Sequence, residues 1–177
     1  MKRIYALPVI SILLIGCSNN AGQSDIFLKR PKDTNLEFWI TERVTFEQLE
    51  NKGCTYIPGW MGADEYLGSK YRVNEDGSVP DIHVTYLITG YPDTLDDRAV
   101  TSISVTDPDI TVYGLKIGAK ESEIFERAKK LNYSSMGFIT YVDECCAYFT
   151  VKNCTFVFKH SEITIDVPVT NNQGIIY

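Results

Sequence analysis

Ile82, Val84, Tyr86 and Ile88 alternate with His83, Thr85, Leu87 and Thr89. A period of two puts every second side chain on one side of an extended strand, so this run has one strongly apolar face. The turn segment Tyr91-Pro92-Asp93-Thr94-Leu95-Asp96-Asp97 leads into a second β-rich run, Ala99–Val105, and the two are expected to pair as an antiparallel hairpin. The pattern returns in Phe138–Val142, Ala147–Val151, Thr155–Lys159 and Glu162–Val169. A tight turn at Lys152-Asn153 sets Cys154 opposite Val151. Phe149, Val151, Phe156 and Phe158 then share one face, with Tyr148, Thr150, Thr155 and Lys159 on the other. Ile163, Ile165 and Val167 alternate with Thr164 and Asp166 in the last run. Leu36–Ile40, and Ile110–Ile117 after the Asp107-Pro108-Asp109 turn, also read as strands.

Two segments break the β pattern. Glu121–Leu131 carries Ile124, Phe125, Ala128 and Leu131 on one helical stripe. Glu121 and Glu123 lie in its first turn and Lys129 and Lys130 in its last, as the helix dipole favours; Asn132 can close it in a left-handed conformation. Earlier, Thr45-Phe46-Glu47-Gln48 fits a capping box, Val44 can staple onto Leu49, and Gly53 offers a stop. Short helices beside antiparallel meanders define an α+β class, with the helices packed on one face of the sheet. The order of helix then strands occurs twice. A shift of 79 residues lays Phe46 on Phe125 and Gly53 on Asn132, so the chain could be a tandem helix-plus-meander duplication with halves at 36–107 and 108–170, although the identity between them is slight.

The chain's ends are different in kind. Met1-Lys2-Arg3 is basic, Ile4–Ile15 is apolar apart from Ser11, and the run is too short to span a bilayer as a helix. It ends in Leu14-Ile15-Gly16-Cys17, which resembles the lipobox of bacterial lipoproteins. That resemblance implies a signal peptide over 1–16, cleavage before Cys17, and a lipid (a diacylglycerol, with palmitate-type acyl chains) on Cys17. It places the protein on the extracytoplasmic face of a bacterial membrane, the cell membrane if the source is Gram-positive. Segment 17–35 is read as the lipidated Cys and a polar tether, 36–170 as one α+β domain, and 171–177 as a frayed tail. The whole chain has 17 basic and 23 acidic residues, a net charge of −6; without residues 1–16 the balance is 15 against 23, or −8. An acidic chain lacks the electrostatic footprint of a nucleic-acid binder, and an acidic body stands off an anionic lipid surface.

With Cys17 assigned to lipid, Cys54, Cys145, Cys146 and Cys154 remain. They allow three fully paired connectivities, or one bridge with free thiols. A Cys145–Cys146 bridge would be strained, and Cys146 and Cys154 are expected on opposite faces. The favoured pairing joins Cys54 to the Cys145/Cys146 pair. The spacing suits no zinc knuckle, and His83 and His160 are too few for a histidine-dominated metal site.

Val112-Tyr113-Gly114-Leu115-Lys116-Ile117-Gly118, followed by a helix with Glu123-Ile124-Phe125, resembles a unit of small bacterial lipoproteins similar to β-lactamase-inhibitor-like domains and to the small lipoprotein of the outer-membrane assembly machine. The match covers about 25 residues and departs at Ala119-Lys120, where that unit carries Ser, Thr or Asp. It implies short helices on a curved antiparallel sheet and a role in binding other proteins. Phe38-Trp39-Ile40-Thr41-Glu42, Tyr91-Pro92-Asp93 and Val105-Thr106-Asp107-Pro108 are similar to a lipoprotein family of gut-type Gram-positive bacteria, which implies no activity and no site residues.

No catalytic constellation is legible. Asn74–Asp81 resembles a calcium loop but has Arg72 and His83 where ligands one and twelve belong, so it reads as a β-turn. Asp93, Asp96 and Asp97 read as a solvated acidic loop. The segment Pro58–Gly68 reads as an ordered loop whose Trp60, Met61, Tyr66 and Leu67 form either a binding surface or a lid plugged into the core. The expected function is that of a non-catalytic module, without cofactor or metal, anchored to a membrane and binding a protein or envelope component. Two alternatives are a thiol-dependent enzyme or redox protein using Cys145/Cys146, and an immunity or inhibitor protein.

Overall fold

The computed structural model describes residues 28–58, 63–90, 98–141 and 144–167. The lipobox with Cys17, the Trp60-Met61 pair and the acidic 91–97 loop lie outside them. Helix α1 (Phe46–Lys52) is followed by strands β1 (Thr55–Ile57), β2 (Ala63–Leu67), β3 (Val84–Gly90) and β4 (Arg98–Val105). Helix α2 (Glu121–Lys130) is followed by β5 (Ser135–Tyr141), β6 (Glu144–Val151), β7 (Cys154–Phe158) and β8 (Ile163–Asp166). All eight strands form one antiparallel sheet in the order β1-β2-β3-β4-β8-β7-β6-β5. The expected α+β class is therefore the observed one. Each helix precedes a four-strand meander, and the two meanders meet through their last strands. The strand order runs from last to first outward on both sides of the antiparallel seam between β4 and β8.

Register follows from the alternation. A single row, Tyr56–Tyr66–Tyr86–Ile103–Ile165–Phe156–Phe149–Met136, crosses all eight strands on one face. This face, together with Leu49 of α1 and with Ile124 and Ala128 of α2, forms one hydrophobic core. Phe149 stacks on Phe156 at 5.0 Å and on Phe158 at 5.7 Å. The opposite face carries the row Thr55–Leu67–Thr85–Ser104–Thr164–Val157–Tyr148–Gly137.

The helix ends behave as their residues require. Thr45 and Gln48 form the reciprocal capping box, and Gly53 closes α1 at φ +81°. At α2, Glu123 accepts the Lys120 N–H at 2.9 Å, while the Lys120 ammonium has no lone pair to complete the box.

Three expectations are corrected. Leu36–Ile40 is not a strand. Leu36, Phe38, Trp39 and Ile40 are all buried, but the segment joins no strand of the sheet; it is a coil plugged into the core. Ile110–Ile117 is not a strand either. Val112 and Leu115 exchange backbone hydrogen bonds at 2.9 and 3.0 Å across Tyr113 and Gly114, both at positive φ (53° and 73°), the geometry of a type I′ turn. Finally, the tether does not reach residue 35. Leu28 joins the core, Thr34 donates to the Thr111 carbonyl at 2.7 Å, and Asn35 donates to the Asp109 carbonyl at 3.1 Å.

Candidate binding surface

The segment expected to be a loop contains strand β2, and that strand organises a group of aromatic rings of which two are exposed. β1 and β2 place Tyr56 directly opposite Tyr66, with ring centroids 5.5 Å apart. Thr45 caps α1 so that Phe46, the first helical residue, leans over the same strand pair, its ring 6.3 Å from that of Tyr66. Arg98, at the start of β4, lays its guanidinium 4.2 Å from the Phe46 ring centroid and is ion-paired with Asp64 of β2. A guanidinium held by a carboxylate over a ring face combines cation–π attraction with a fixed orientation. Tyr66 is buried beneath this group, whereas Tyr56 is 49% and Phe46 38% exposed. Burial, with Asp64 and Glu50 nearby, raises the Tyr66 phenol above its ordinary pKa, so it stays protonated.

Of the residues predicted to bind, Tyr66 and Leu67 are thus buried supports rather than contact residues. Leu67 faces away from the aromatic group, beside Thr85. Phe46, Tyr56 and Arg98 were missed. Their only sequence signal is aromatic or basic character, and nothing local shows that residues 46, 56 and 98 converge.

The thiols are separate and unbridged: Cys54, Cys145, Cys146 and Cys154 are all free. The pairing of Cys54 with Cys145 or Cys146 is corrected by the strand order. Cys54 precedes β1, and five strands separate β1 from β6; at about 4.8 Å per strand the gap is roughly 29 Å, far beyond a disulfide's reach. Cys146 faces Ile139 on one side of the sheet, and Cys154 lies in the core with Val151 on the other. Cys54 Sγ donates to Glu37 Oε2 at 3.7 Å, and the same carboxylate accepts from the Ser69 hydroxyl and N–H. Burial and the Glu37 charge push the Cys54 thiol up to about 12, and burial alone pushes Cys154 up to about 12. Burial, then Glu144, raises Cys146 as well. A protonated thiol is a poor nucleophile and a poor metal ligand.

The turn-plus-helix unit lines an open groove of about 550 Å³ between Gly114–Ala119 and Glu123, Glu126, Arg127 and Lys130. No group of three His, Cys, Asp or Glu among the described residues is placed to hold a metal ion. Residues 74–78 form a turn closed by Gly77 N–H to the Asn74 carbonyl at 2.9 Å. Among the described residues no helix is long and apolar enough to cross a membrane.

No family model matches the chain, and no curated protein matches it. Among solved structures it is similar to the 1.5 Å crystal structure of an extracellular protein containing a SCP domain from Bacillus anthracis str. Ames. The identity is 12% and the TM-score 0.42, over 79% of this chain; the match spans 48%, about half, of that protein's length. A likeness of this degree assigns neither family nor function.

Proposed function

We propose that this protein is a lipid-anchored, extracytoplasmic, non-catalytic module that binds a protein partner through the Phe46–Tyr56–Tyr66–Arg98 group. One observation carries the reading. Two exposed aromatic rings, Phe46 and Tyr56, are braced from below by Tyr66 and from the side by an ion-paired arginine. Aromatic and arginine side chains pre-set in this way lose little entropy on contact, which is why such residues dominate interface energetics. The basic start, apolar run and lipobox of residues 1–17 support the anchor, and the resemblance of residues 112–125 to small protein-binding lipoproteins agrees with the role.

The two parts are tested separately. Radiolabelled palmitate fed to expressing cells is expected to label the protein, and Cys17→Ser to abolish the label; labelling of the serine variant would refute the anchor. For binding, cross-linking on intact cells is expected to give a discrete adduct that Tyr56→Ala with Phe46→Ala removes while the thermal midpoint stays close to wild type. An adduct indifferent to both changes would place the binding surface elsewhere.

A further inference from the structure

The other end of the sheet carries a different feature. β5 is an edge strand of seven residues, Ser135-Met136-Gly137-Phe138-Ile139-Thr140-Tyr141. Among the described residues it pairs with β6 alone and has no partner along its outer side. Edge strands of this length offer a row of unpaired N–H and C=O groups, and proteins ordinarily blunt them with lysine, proline, a bulge or shortness. The opposite edge obeys the rule: β1 has three residues. β5 has no charge and no proline, and its pairing with β6 runs in unbroken register from Ser135 to Tyr141. Phe138 is 51% and Ile139 40% exposed, one on each face of the sheet.

We propose that β5 pairs with β5 of a second copy, antiparallel, about a two-fold axis normal to the sheet, making one continuous sixteen-strand sheet. Two observations select a second copy as the occupant. Pairing all seven residues puts the axis at the strand's midpoint, Phe138, so Ser135 meets Tyr141, Met136 meets Thr140, Gly137 meets Ile139, and Phe138 meets its own mate. Directly opposed aromatic rings on one face are a favourable cross-strand pair. Each Phe138 ring already packs edge-on to Phe125 of α2 at 5.4 Å, so four rings meet across the axis. The second observation is charge. The molecule carries −6 overall, yet β5 is neutral, so two acidic copies approach here without opposing like charges strand to strand. The site is independent of the aromatic group at β1, which lies at the far end of the strand order.

Sedimentation velocity of the full 177-residue chain in mild detergent, across a hundredfold concentration range, tests the proposal. Wild type is expected to pass from monomer to dimer. Phe138→Lys and Phe138→Glu, each alone, are expected to weaken association at least tenfold, a change of about 1.4 kcal/mol, and an equimolar mixture of the two to recover the dimer. Should a charge at 138 disturb the contact with Phe125, Ile139→Lys on the other face gives the same readout, with circular dichroism reporting the fold. A wild-type chain that stays monomeric, or folded lysine variants that dimerise as wild type does, overturns the proposal; so does a mixture with no gain over its components.

Discussion

Single residues set the chemistry this molecule can do. Its four described cysteines are spread over three sites, and three of them are protonated by their surroundings: Cys54 by burial and the Glu37 charge, Cys154 by burial, Cys146 by burial and Glu144. Cys145 alone is exposed. In a Cys17→Ser background, a thiol reagent at neutral pH is therefore expected to modify one thiol promptly and the other three only on unfolding. Prompt reaction of two or more would reopen a thiol chemistry. Asp166 gives a second prediction. Burial raises its carboxyl above the ordinary range, and Glu162 adds to this, against the Ser102 hydroxyl (2.5 Å) and Lys159. Because its folded pKa exceeds its unfolded value, the native state holds the proton more tightly. Its contribution to stability is greatest below about pH 3.9, the unfolded pKa, and is lost as the pH rises through the folded value. Asp166→Asn keeps a carbonyl for Ser102 and removes the charge. It is expected to raise the thermal midpoint at pH 7 and to leave it unchanged near pH 3; a lowered midpoint at pH 7 would show that the carboxylate is stabilising.

At the scale of elements, local signals and packing divide the work. The capping box at Thr45 was legible because a reciprocal pair of hydrogen bonds needs only a spacing of three residues. α1 has seven residues and one fully buried side chain, Leu49, so its cap carries a large share of its stability and also aims Phe46. Thr45→Ala is expected to cost about 1 kcal/mol in denaturant titration and to weaken partner binding in parallel with Phe46→Ala. Unchanged stability would mean that tertiary packing alone holds the helix. Strands β1 and β2 were not legible for the complementary reason. β1 is too short for a period of two to declare itself, and β2, Ala63–Leu67, has adjacent buried residues at its end, Tyr66 on the core face and Leu67 on the other. The turn at Tyr113-Gly114 was missed because a tyrosine at positive φ carries no turn signal. It is held there by its ring, which packs edge-on against Trp39 at 5.4 Å and Phe156 at 5.3 Å.

Across the whole molecule, the two meanders share one hydrophobic core. The β4–β8 seam pairs only four residues on each side, but the core ignores the division. Trp39, before α1, packs on Phe156 of β7, and residues 34–35 bond to 109–111 across the halves. Each half alone would expose a seam strand and half a core. Fragments 1–107 and 108–177 are accordingly expected to show no cooperative thermal transition singly and to recover one when mixed, as followed by circular dichroism. A fragment that melts cooperatively alone would make the halves separate domains.

What the sequence determined by itself is what depends on neighbours along the chain. Alternation located the strands from Val84 onward, with a false one at Ile110–Ile117, and the faces of Phe149, Phe156 and Ile165; periodicity and capping assigned both helices, and the first 17 residues supplied the expectation of an anchor. Only the tertiary structure decided that Cys54 lies too far from Cys145 and Cys146 to bridge. It alone brought Phe46, Tyr56, Tyr66 and Arg98 together, and it left β5 on an edge that is open among the described residues. Strand order causes all three. It sets which residues meet across tens of ångströms, and it arises from the joint burial of two meanders that no local window contains.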